Sequence, residues 1–145
     1  MRKSSAFSVS RPALHGLTLA VAMTRWLIEG TPVALDRVAP DALPTTRHLA
    51  YFTGRGADAL AKAASLADAV IGMRSVWPED PLYPLARRSN VRIVEIDAAR
   101  PVDGALPGVA LRPGAVGEGQ YAWLDPTNLG RMADIVAHDL RRLAP

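Results

Sequence analysis

Short runs rich in β-branched residues alternate with stretches whose apolar residues recur at helical spacing. This alternation constrains the fold of the chain more than any other feature of its sequence. The strand-like runs are Leu17 to Met23, Pro32 to Val38, Asp68 to Met73 and Val91 to Ile96. The last is the clearest, with Val91, Ile93 and Val94 β-branched. A helical turn at Thr24 to Glu29 stops at Gly30 and Pro32. Gly54 to Leu66 is alanine-rich and helical, and Glu79 to Ser89 is a short helix in which Pro81 and Pro84 either take first-turn positions or kink it. Ala39 to His48 and Asp97 to Gln120 read as loops, the second long enough to be functional or mobile. The final helix, Asp125 to Leu143, opens on an Asp N-cap and a Pro at the first helical position. It carries an apolar stripe at Leu129, Met132, Ile135, Val136, Leu140 and Leu143. Such alternation predicts an α/β fold: a three-layer α/β/α domain around a small, mostly parallel four-stranded sheet. Ligands of such folds sit outside the carboxyl ends of the strands. Here those ends are the loops at Met23–Thr24, Ala39–His48, Arg74–Pro78 and Asp97–Arg100.

With 145 residues the chain is long enough for one domain with a real core. Hydrophobic residues make up 49% and charged residues 21%, which argues against disorder. The net charge is +3, and no basic stretch is interleaved with aromatics, so nucleic-acid binding is not expected. The absence of cysteine excludes disulfides, thiolate metal sites and cysteine nucleophiles. No run reaches the roughly 18–20 apolar residues of a membrane span. The N-terminus has two readings. Arg2, Lys3 and Arg11 before Leu14–Met23, with Ala20-Val21-Ala22 as a small-residue cleavage site, make a secretory signal; otherwise a tail leads into a first buried strand. The chain is therefore divided into a tail or signal-like segment, residues 1–16, and a single α/β domain, residues 17–145. The protein is periplasmic on the first reading and cytoplasmic on the second.

No catalytic set is visible, and a binding protein rather than an enzyme is expected. Gly54-Arg55-Gly56 precedes a helix but lacks a third glycine or a Gly-Lys-Ser/Thr, so it reads as a helix start. Ser75 has no Gly-x-Ser-x-Gly turn around it. Glu79 and Asp80 are neighbours that do not face one another. Glu95 and Asp97 share a strand face; Glu95 is expected at the edge or in solvent, and Asp97, at the carboxyl end, is the better site candidate. Arg74, Arg87, Arg88 and Arg92 form either a basic patch or a solvated face. Of the histidines, His15 lies in the tail and His138 on the surface of the last helix. His48 follows the second strand on the ligand side, where imidazole is a common metal ligand.

The order of three motifs resembles the N-terminal lobe of the zinc/manganese solute-binding proteins that serve bacterial ABC importers. Pro44-Thr45-Thr46-Arg47-His48 is similar to the family's Pro-His loop, which supplies its first histidine ligand. Asp58 to Ile71 resembles a helix and strand with a Leu-Ala-x-Ala-Asp-Leu-Val pattern, and Val91 to Asp97 looks like the strand that comes next. Tyr121-Ala122-Trp123-Leu124-Asp125-Pro126-Thr127-Asn128 resembles His-x-Trp-Leu-Asp-Pro-x-Asn, the most specific of the motifs. The resemblance implies one lobe of a bilobal periplasmic binding protein, with the second lobe absent. It implies a bound zinc or manganese ion, an importer permease as partner, His48 as a ligand and Tyr121 at the second ligand position, with Asp97 as a neighbour. A phenol does not replace imidazole at a zinc site, and one histidine falls short of the three or four ligands zinc requires. A homodimer could complete the set between copies. The expected function is a metal solute-binding-like protein, degenerate or truncated at Tyr121. The alternative is an interaction or accessory module that keeps the fold without the metal.

Overall fold

The computed structural model describes residues 6–9, 24–31, 33–40, 42–110 and 125–143. Four short strands, β1 (Ala6–Val9), β2 (Ala34–Arg37), β3 (Ala67–Gly72) and β4 (Val94–Asp97), pair in the order β2-β1-β3-β4, every pair parallel. The α/β class with a small parallel sheet is therefore as expected. The origin of β1 is not. The sequence places Ala6–Val9 in a tail or signal-like segment, yet its backbone pairs with both β2 and β3. Four residues are too short a run for the period-2 pattern to stand out. The strand expected at Leu17 to Met23 lies outside the described residues, as does Tyr121.

The helices follow from local chemistry. Residues 24–28 are helical and end at Gly30, whose φ of 76° is the left-handed conformation that glycine adopts without steric cost. The segment expected to be a loop up to His48 instead winds up. Pro44, at φ −60° and ψ 146°, starts a 3-10 turn (Thr45–Arg47) that leads into α1 (His48–Thr53). Proline tolerates the start of a helix because its missing N–H is not needed there. α2 (Ala57–Leu66) begins after the glycine turn rather than within it. α3 (Leu82–Ser89) has Pro81 as its N-cap residue and Pro84 in its first turn, as the confinement of proline requires. α4 (Pro126–Leu143) starts where Asp125 Oδ1 accepts from Thr127 N–H at 2.8 Å.

Two apolar clusters flank the sheet. Ala69, Ile71 and Ile96 pack with Met132, Val136 and Leu140 of α4, and Leu27 and Ile28 join them. Ala67 and Val70 pack instead with Phe52 of α1, Leu60 and Ala64 of α2, and Leu82 and Ala86 of α3. Ala69, Val70 and Ile71 thus send alternate side chains to the two clusters, as a strand covered on both faces must. The exposed residue of β3 is Asp68, which sits at an irregularity in the register. Ala6 pairs with Ala67 but Phe7 with Ala69, so Asp68 is left out of the pairing. The shift keeps a carboxylate out of the core.

Side-chain amides close two joints. Asn90, at the end of α3, donates from Nδ2 to the carbonyls of Ala64 and Ala67 at 2.9 and 3.0 Å, and its Oδ1 accepts from Arg92 N–H. Asn128, in the first turn of α4, donates to Ala110 O at 2.9 Å and accepts from Ala110 N–H at 3.1 Å. The second clasp fastens the far part of the long loop after β4. No helix among the described residues is long and apolar enough to cross a membrane.

Candidate functional site

The strand order places β1 and β3 side by side while the chain leaves them toward opposite edges. The carboxyl end of such a sheet opens a crevice at that point. An open cleft of ≈ 390 Å³ lies at this end, beside β3 and β4, and is lined by Arg74, Ser75, Glu95, Asp97, Arg100, Pro101 and Val102. Arg74 and Ser75 come from the turn after β3. Glu95 and Asp97 come from β4, and the other residues begin the loop that follows it.

Asp97 organises the cleft. Its Oδ2 accepts from Ser75 N–H at 2.7 Å, and its Oδ1 accepts from Ser75 Oγ at 3.0 Å and from Ala99 N–H at 2.9 Å. One carboxylate thus joins the turn after β3 to the turn after β4. A carboxylate has about four acceptor directions, and these bonds use three of them. The bridge between Asp97 and Arg100, with Val109 N–H donating to Ala99 O at 2.9 Å, folds the start of the loop back on itself. The expected long loop is pinned over its described part.

Glu95 lies on β4, an edge strand, in keeping with the edge position expected of it. It is half-buried and accepts from Arg74 Nη1 at 2.6 Å, and the Arg74 guanidinium also lies over the Tyr83 ring, 5.5 Å from its centre. Sequence reading placed Glu95 at the edge or in solvent; its partner Arg74, 21 residues away, was not foreseen. Two of the four arginines meet at one side chain: Arg74 lies over the Tyr83 ring and Arg87 Nη1 donates to the Tyr83 hydroxyl at 3.4 Å, while Arg88 ends α3 and Arg92 precedes β4. Asp80 is no acid/base partner for Glu79: it is buried and accepts from Leu82 N–H at 3.0 Å, at the start of α3.

His48 lies elsewhere. It is the first residue of α1 and is 0% exposed. Its Nε2 is 3.3 Å from Leu43 O, and its ring meets Phe52 and Trp77 edge-on, at 5.8 and 6.4 Å between centroids. The structure therefore does not bring His48 to the cleft that Asp97 lines, and Tyr121 lies outside the described residues. Among the described residues no three His, Asp or Glu side chains come together in a group that could hold a metal ion. The imidazole of His48, set among aromatic edges, does not fit a ligand set on its own.

Sequence reading missed Arg100, Asp103 and Asp139 in this part of the molecule. Asp139 is buried on α4 and accepts from Val102 N–H at 3.3 Å, and Asp103 accepts from Arg142 Nη1 at 2.7 Å. The signal available was the position of Asp139 beside the apolar stripe, where an unpartnered carboxylate would be costly. The carboxyl of Asp103 is held below its ordinary value, first by the Ala105 N–H that it accepts and then by the charges of His138 and Arg142, with partial desolvation opposing.

No family model matches the chain, and no curated protein or solved structure matches it.

Proposed function

We propose that the chain is a non-catalytic binding domain: a three-layer α/β/α unit built like one lobe of a solute-binding protein, whose binding face is the carboxyl edge of its four-stranded sheet. It acts as an interaction or accessory module without resident metal. The observation that carries this reading is the place of His48. The residue that the resemblance to zinc/manganese importer proteins offers as a ligand is sealed beneath Leu43, Phe52 and Trp77, whereas the polar side chains open to solvent line the Arg74–Asp97 cleft. Polar groups converging at the carboxyl ends of parallel strands are the usual setting for a ligand in such a fold.

A second reading keeps the metal: a zinc- or manganese-binding lobe that works with an importer permease. The motif order from Pro44 to Asn128 supports it. Calorimetric titration of the purified chain with zinc and with manganese separates the two. The first reading expects no binding tighter than about millimolar, a standard free energy of about −4 kcal/mol. Micromolar binding that is lost in His48→Ala, with the fold intact by circular dichroism, would replace it with the second.

A further inference from the structure

The loop that walls the cleft is held to α4 by ionisable groups that the binding reading does not use. Asp139, only 2% exposed, accepts from Val102 N–H through Oδ2, while its Oδ1 is 3.1 Å from His138 Nδ1. The other ring nitrogen of His138, Nε2, lies 3.8 Å from Asp103 Oδ2 on the loop, within ion-pair reach but short of a hydrogen bond. His138 therefore stands between two carboxylates, one buried on the helix and one half-exposed on the loop. Among the described residues, the other charged groups near it are Arg142, which holds the same Asp103 oxygen at 2.7 Å, and Asp134 and Arg141, one helical turn before and after it on α4.

The chemistry of imidazole gives this arrangement two states. A neutral ring has one N–H and one lone pair, so it donates to one carboxylate and turns a lone pair on the other. An imidazolium donates from both nitrogens, and both hydrogen bonds are then charge-assisted. Histidine is the side chain whose ordinary value puts this change between about pH 5 and 8. Val102, tied to Asp139, and its neighbour Pro101 both line the cleft. We propose that His138 is a proton-operated clasp. Charged, it adds a further tie between α4 and the loop at residues 101–105, and with it one wall of the cleft; neutral, it loosens that tie while the Asp139–Val102 and Arg142–Asp103 contacts remain. The clasp is thus tighter on the acid side and looser as pH rises. It stands whether or not the cleft is the binding face, because its readout is local.

The test is amide hydrogen exchange of the full chain, corrected for the intrinsic pH dependence of exchange, followed at Val102 and Ala105 between about pH 5 and 8. Protection at both amides is expected to fall about fivefold over this range, the scale of one partly solvated charge-assisted contact. In His138→Gln the profile is expected to be flat. A flat profile in the unaltered chain overturns the proposal, and so does an unchanged slope in His138→Gln, which would assign the effect to another group. Should His138→Gln fail to fold, Asp103→Asn serves. It keeps the imidazole and removes the loop's charge, so the pH dependence is expected to shrink; its full retention also overturns the clasp.

Discussion

The surroundings of His48 and of Asp97 make a useful pair. Both are polar side chains in which sequence reading saw a candidate site; His48 follows β2 and Asp97 ends β4, strands of the same parallel sheet. His48 is fully buried, has its Nε2 near a carbonyl of its own loop and meets two aromatic rings edge-on. Asp97 is half-buried, accepts from two turns of chain at once and still faces an open cleft. What separates them is the winding of the chain after the strand. The 3-10 turn after Pro44 carries His48 onto a helix that packs inward, while the tight turn after β4 leaves Asp97 at the rim. A chemically apt residue on the ligand side of a sheet becomes a site only if the local backbone keeps it near solvent.

The largest test of this contrast is His48→Ala. Removing a ring from a close-packed aromatic cluster leaves a cavity and is expected to cost about 2–3 kcal/mol in denaturant unfolding. A loss below about 0.5 kcal/mol, the range of ordinary surface changes, would show that His48 is not structural and would break the comparison. Asp97→Ala comes next, at about 1–2 kcal/mol, because water can reach the N–H groups it strands. Its effect is expected to concentrate at the cleft, as faster exchange of the Ser75 and Ala99 amides with the rest of the protein unchanged. Asp125→Ala touches neither region and sharpens the scale between them: loss of one N-cap at an exposed helix start is expected to cost about 1 kcal/mol. The smallest effect is that of Asp103 on acid stability. Its carboxyl is held below 3.8 in the folded protein, so its stabilising contribution is present above that value and is lost as pH falls through the lower folded value. Acid unfolding of Asp103→Asn is expected to be slightly less steep than that of the unaltered chain; an identical curve would remove this contribution.

Legibility followed the range of the interactions. The N-cap at Asp125, the stripe of α4 and the prolines at the start of α3 were readable because each depends on residues within a turn or two. The Asp97 candidacy was readable because carboxyl ends of strands recur as ligand positions. The Arg74–Glu95 pair, the Asn128 clasp on Ala110 and the hold of Asp139 on Val102 were not, since they join residues 21, 18 and 37 apart. β1 was missed for a related reason. Its four residues gain their place from pairing with β2 and β3, and nothing in the local run announces it.

By itself, then, the sequence determined the class of fold, the helix starts and the apolar stripes, because periodicity and capping act over one turn of chain. Only the tertiary structure decided which polar groups stay within reach of solvent. It buried His48, left Asp97 at the rim and set His138 between two carboxylates from different elements. Desolvation is a property of everything packed around a group, and that packing brings together residues far apart along the chain.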